Sequence, residues 1–106
     1  MSRILLSKLA EADLDQIDRQ TIDRFGLNQA AKTLEAFWRA TRDLADHPDM
    51  GHRREDLDPP RQILRCWPVL KRFLIVYRPM QDGIEVARIL DGSRELKNVL
   101  FPPSGD

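Results

Sequence analysis

Lys71-Arg72-Phe73-Leu74-Ile75-Val76-Tyr77-Arg78 is the stretch that decides the fold. β-branched and aromatic residues crowd its centre, so it reads as a strand. Side-chain alternation divides it: Phe73, Ile75 and Tyr77 point to one side, and Arg72, Leu74, Val76 and Arg78 to the other. Downstream, Gln81-Asp82-Gly83 reads as a hairpin turn, since Asp-Gly tolerates the positive φ such a turn needs. Residues 84–90 then return as the next strand. Upstream, Pro68-Val69-Leu70 reads as a turn and residues 61–67 as the strand before it. The C-terminal half is therefore a three-strand meander.

Toward the N-terminus, residues 49–60 hold Pro, Gly, Asp and Arg without periodicity and read as a loop. Before them, Ala31, Leu34, Phe37, Trp38, Thr41, Leu44 and Ala45 mark the buried stripe of a helix that Pro48 terminates. An earlier helix carries Ala10, Leu14, Ile17, Thr21 and Phe25, with Ser7 as its N-cap and Gly26 as its C-cap. Asn28 is placed to cap the second helix. So short a link folds the two helices into an antiparallel hairpin. Ile4-Leu5-Leu6 forms a brief opening strand, and Leu96, Val99 and Leu100 suggest a terminal helical turn stopped by Pro102-Pro103. The fold class is α+β in the order β-α-α-β-β-β, with the helical hairpin packed on a small, twisted, mainly antiparallel sheet.

The 106 residues suffice for one domain, residues 1–106, and a second core would not fit. The longest apolar run, residues 73–77, is far short of the ~20 residues of a membrane helix. No secretory signal opens the chain, and the lone Cys66 excludes an internal disulfide framework. These features point to a cytoplasmic protein without membrane association. Seventeen basic residues balance seventeen acidic ones, which disfavours indiscriminate binding to nucleic acid. The distribution is uneven, however. Residues 1–52 carry seven Lys/Arg against nine Asp/Glu, whereas residues 53–106 carry ten against eight. Between Arg61 and Arg78 stand Arg65, Lys71 and Arg72 and no acid at all, which is either a solvated face or a surface for an acidic partner.

The hairpin covers only one sheet face, and the side of Phe73, Ile75 and Tyr77 is the natural choice, packed on Leu14, Ile17, Leu34 and Phe37. Leu74 and Val76 then stand exposed on a face rimmed by cations, each forgoing ~1.5–3 kcal/mol of burial. Either the terminal helical turn folds back over them, or a standing partner fills the face with apolar and acidic side chains. The partner is the favoured reading. Trp38, at helical spacing, reads as core; Trp67, beside Arg65, fits core and partner anchor equally. Cys66 shares the side of Leu64 and reads as buried. There is no phosphate-binding loop, dinucleotide fingerprint, Cys pair or His-Glu metal motif, and His47 with His52 is too few for a metal site. The residues nominate no catalytic group, no metal and no cofactor. A binding module is the better class.

With these strings in this order, the chain resembles the RelE/ParE superfamily of type II toxin–antitoxin toxins, and more closely its ParE-like branch, over residues 6–100. Leu6-Ser7 followed by Ala10, Asp13-Leu14 and Ile17 is similar to the family's opening helix. His47-Pro48 with Met50-Gly51 and Arg53 resembles its Asn-Pro…Gly-x-x-Arg loop. Residues 73–78, then 84–90 with Arg88 and Gly92, resemble its paired terminal strands. The resemblance implies a bacterial growth-arrest toxin that inhibits DNA gyrase without catalysis and meets nucleic acid only indirectly. It also implies a cognate ParD-like antitoxin, a ribbon-helix-helix protein with an acidic-apolar tail.

On that reading Arg65, Trp67, Arg72, Leu74, Val76 and Arg78 form the antitoxin-binding face, and Arg88, Asp91 and Arg94 are candidates for contacting the target. RelE-like relatives instead cleave messenger RNA on the ribosome, with basic residues and a tyrosine. Arg94 matches that branch's arginine after the strand-ending glycine, here Gly92. Leu100, however, stands at its catalytic tyrosine, Leu74 at its central-strand arginine, and Asp91 at the histidine that some members carry. Without those groups no obvious residue activates a 2′-hydroxyl or protonates the leaving group. A ribosome-dependent endoribonuclease using Arg65, Arg72 and Arg94 with an unidentified base is thus the alternative, with an inactive relative that retains only antitoxin binding as a third reading.

Overall fold

Ser7 organises the start of the chain as its capping chemistry predicts. In the computed structural model, which describes residues 2–53 and 63–91, its hydroxyl accepts a hydrogen bond from the Ala10 N–H at 3.0 Å and donates one to the Ala87 carbonyl at 2.7 Å. Strand β1 (Arg3–Leu6) therefore passes directly into helix α1 (Lys8–Phe25). Gly26 closes α1 and opens α2 (Leu27–Asp46): its N–H donates to the Ile22 carbonyl, and its own carbonyl accepts from the Ala30 N–H. Its φ of +89° suits glycine, and a Cβ there would meet nothing within 4 Å, so the dihedral alone sets the preference. Asn28, expected as the cap, lies inside the first turn of α2.

The buried line of α2 is rotated from the expected one. Ala30, Thr33, Phe37, Thr41, Leu44 and Ala45 are buried, whereas Ala31 is exposed, Leu34 is half-buried and Trp38 is 39% exposed. Thr41 is buried as expected, and Thr33, outside the expected stripe, joins it as a second core threonine. Each satisfies its hydroxyl on a carbonyl of its own helix at 2.9 Å, Thr33 on Gln29 and Thr41 on Trp38, so neither needs water.

After α2 a 3-10 turn (Pro48–Met50) leads to β2 (His52–Arg53), a short strand within the stretch expected to be loop. Strand β3 (Arg65–Val69) begins and ends later than expected, running through Pro68. A proline is tolerated there because β2 pairs only with Arg65 and Cys66, which leaves the rest of β3 at an edge. β4 (Phe73–Met80) and β5 (Gly83–Asp91) follow. The strand order is β1-β5-β4-β3-β2, with β1 parallel to β5 and the other neighbours antiparallel. Among the described residues this is an α+β fold of two helices on a mixed, mainly antiparallel sheet. The expected terminal turn at Leu96, Val99 and Leu100 lies outside the described residues.

The parity of β4 is as its sequence predicts. Phe73, Ile75 and Tyr77 join Ala10, Ile17, Phe37 and Leu44 in the main core, with Leu14 packed against it. The Phe37 and Phe73 rings lie 5.3 Å apart. Leu34, expected among these partners, is not part of that cluster. Val76, expected to stand exposed, is fully buried (0% exposed) on the far face with Leu64, Cys66 and Leu90, while Leu74 and Ala87 are partly buried beside them. Val76 is thus the centre of a second buried cluster and no part of an exposed face. Cys66 lies directly across on β3, and β5 adds its own apolar side chains on the other side.

Candidate partner-binding surface

Register sorts the residues expected to bind a partner. Arg65 pairs with Tyr77 and Trp67 with Ile75, so both belong to the helix-covered side, and Trp67 packs against the main core. Leu74, Val76 and Arg78 face the other way. Arg72 sits in the β3–β4 turn with its guanidinium 5.1 Å from the centre of the Phe73 ring and 3.5 Å from the Asp91 carboxylate. Of the six predicted contacts, the structure thus gathers Leu74, Val76 and Arg78 on one face, and Val76 is inaccessible there.

The cationic rim is also weaker than the acid-free stretch suggested. Arg65 lies 3.6 Å from the Asp49 carboxylate, Arg72 has Asp91, and Arg78 Nε donates to Glu85 at 2.7 Å. These acids arrive from other elements, so no reading of neighbouring positions reveals them. The far face is apolar with a paired charge at its border.

Arg65 belongs to a clamp that sequence reasoning missed. The buried Tyr77 hydroxyl donates to the Pro48 carbonyl at 2.6 Å and accepts from the Gly51 N–H at 2.9 Å. Arg65 Nη1 donates to the Gly51 carbonyl at 2.8 Å, while its Nε is buried without a hydrogen-bond partner. Together they fasten the 3-10 turn to the sheet. Burial pushes the Tyr77 phenol above its ordinary range, a shift partly offset by the Gly51 N–H and by Arg65. A Cβ at residue 51 would collide with the Tyr77 ring and hydroxyl, which explains the glycine. The signal lay in the His-Pro…Gly string together with a tyrosine on the core side of β4.

Arg88 and Asp91 do come together, in a groove of about 110 Å³ between α1 and β5 that Asp13, Gln16 and Gln20 also line. β1 pairs with β5 only as far as Val86; beyond that point α1 covers the edge. The register slips at Ala87, a bulge that re-aims the following residue. Asp13 accepts from Arg88 Nε at 2.8 Å and Nη2 at 2.9 Å, and from the Ile89 N–H at 3.0 Å. These bonds hold the Arg88 guanidinium proton above its ordinary range. Asp13 is therefore a mostly buried ion-pair partner, its side chain 15% exposed. Arg94 lies outside the described residues. Among the described residues no cluster of His, Cys, Asp and Glu could hold a metal ion, and no helix is long and apolar enough to cross a membrane.

This architecture occurs among toxin–antitoxin proteins. The solved chromosomal ParDE TA system from P. aeruginosa matches it with a TM-score of 0.69, covering 86% of this chain and 96% of that one at 22% identity. The sequence is more specific. The profile of the family described as "ParE toxin of type II toxin-antitoxin system, parDE" matches residues 4–96, and the chain belongs to that family. Toxin ParE3 of Caulobacter vibrioides is 29% identical over 96 residues, spanning 91% of this chain and 92% of its own. Toxin ParE1 of Mycobacterium tuberculosis is 32% identical over 90 residues, spanning 84% and 88%. The protein is the toxin half of a type II pair, which implies a cognate antitoxin as its partner.

Proposed function

We propose that this toxin arrests growth in the cytoplasm by binding DNA gyrase, without catalysing a reaction of its own. The observation that carries the reading is Leu74. At the position of the nuclease branch's central-strand arginine stands a leucine on the border of a buried apolar cluster. Asp91, at the position of the histidine, is tied to Arg72, and Arg65, which a nuclease would need free for RNA, is held by the loop it clamps. Family membership supports the toxin role, and these positions favour gyrase inhibition over RNA cleavage. The antitoxin on this reading is ParD-like, with a ribbon-helix-helix domain and an acidic-apolar tail that docks beside Leu74 and Arg78. Arg88, Asp91 and Arg94 remain among the candidates for contacting the target.

Purified toxin is expected to inhibit supercoiling by gyrase and to leave ribosome-bound messenger RNA intact. Cleavage of that message, abolished by Arg94→Ala, would reverse the choice in favour of the endoribonuclease.

A further inference from the structure

We propose that the end of the molecule formed by the α1–α2 turn and the β3–β4 turn is the surface that grips the toxin's target, and that it takes an apolar patch of that protein bordered by acidic side chains. The proposal rests on the reading of this chain as a target-binding toxin, and it centres the grip on Phe25, Leu27 and Leu70, which neither the sequence nor the family likeness nominated.

Leu70 is the first reason. The β3–β4 turn is closed by a hydrogen bond from the Arg72 N–H to the Val69 carbonyl, and both residues between them are left-handed, Leu70 at φ +57° and Lys71 at φ +58°. Turns of this shape favour Asn and Gly, because a Cβ in the left-handed region crowds the following carbonyl. A leucine here is strained, and its side chain does not recover the cost by packing, since it is 54% exposed. The second reason is its surroundings. Phe25 and Leu27 flank Gly26 at the tip of the helical hairpin and are 62% and 72% exposed. The last turn of α1 and the beginning of β4 line one small cavity, including Arg24, Phe25, Arg72 and Phe73, so the two turns share an end of the molecule. Isolated apolar side chains on a surface are ordinary. Three at one end, one of them displayed at the expense of backbone strain, are the composition of a binding patch.

Charge identifies the occupant. Arg24 and Lys32 stand on the hairpin side and Lys71 and Arg72 in the turn, against Asp23 on the hairpin and the Asp91 that already holds Arg72. Among the described residues the excess is positive and complements an acidic border, which would speed and orient the encounter. This end is separate from the far sheet face that the antitoxin takes on the same reading.

The strain makes the test unusually clean, because stability and activity should move in opposite directions. Leu70→Gly and Leu70→Asn are expected to raise the midpoint of thermal unfolding and to bind the cognate antitoxin as the wild type does. Growth arrest on induction, and inhibition of purified gyrase, are expected to weaken by about tenfold or more. The pair Arg24→Glu and Lys71→Glu should weaken both as well. Undiminished arrest by a folded Leu70→Gly protein overturns the proposal, as does an equal loss of antitoxin affinity, which would assign the patch to the antitoxin. Self-association of the wild type that Leu70→Gly abolishes also overturns it, since the occupant would be a second copy. Failure of the gyrase reading looks different: wild-type toxin arrests growth without inhibiting supercoiling, while the Leu70 variants still lose arrest, and the patch then stands with another target. A wild-type chain that causes no arrest overturns both.

Discussion

Tyr77 joins the sheet to the loop that follows the helical hairpin through a single oxygen atom, which donates to Pro48 and accepts from Gly51. Tyr77→Phe leaves that carbonyl and that N–H unpaired in a buried place and is expected to cost about 1–3 kcal/mol. Urea unfolding of the two proteins checks this, and equal stability would mean that both groups find other partners. The pH dependence has a definite sign. The folded protein holds the phenol proton more tightly than the unfolded chain, whose phenol titrates near 10.0. The tyrosine's contribution is therefore complete below that pH and is lost as pH rises through the higher folded value. Stability measured from neutral to strongly alkaline pH should decline less steeply in Tyr77→Phe than in the wild type.

Among the elements, α1 and β5 depend on each other through Asp13. The carboxylate neutralises Arg88 and satisfies the Ile89 N–H where β1 has ended. Asp13→Ala removes the carboxylate that holds a mostly buried guanidinium and is expected to cost about 3–5 kcal/mol. Asp13→Asn retains an acceptor for the edge N–H and should fall between it and the wild type. Thermal unfolding of the three proteins tests that order, and an alanine variant as stable as the asparagine variant would refute the edge-capping role. Strand β4 carries the other element-scale expectation. Ile75 is fully buried on the helix-covered face, so Ile75→Ala should cost about 2–5 kcal/mol through lost burial and the cavity left behind. A loss well below that range would mean the site collapses around the smaller side chain.

At the scale of the whole molecule, the sheet separates two surfaces, a helix-covered core and a far face where Leu74 borders the second apolar cluster. Leu74→Asp introduces a carboxylate where an antitoxin's apolar side chain would dock. Affinity for the cognate antitoxin should fall by roughly tens-fold, on the order of 2 kcal/mol, with circular dichroism confirming that the variant folds. Wild-type affinity in the folded variant would move the antitoxin off this face.

The sequence alone determined what depends on neighbours within a turn or a strand. Ser7 starts a helix, Gly26 joins two helices, Pro48 ends the second, and Phe73, Ile75 and Tyr77 share the side that the hairpin covers, because capping, backbone dihedrals and alternation are local properties. Phe37, Thr41, Leu44 and Ala45 follow from helical spacing, whereas Thr33 does not, because it passes as core only by bonding its hydroxyl to its own helix. Only the tertiary structure decided which cations are free to meet a partner. Asp49, Asp91 and Glu85 reach Arg65, Arg72 and Arg78, and Asp13 reaches Arg88 across 75 positions of sequence. Strand register and helix packing create those encounters, and charge interactions fall off with distance in space, whatever the separation along the chain.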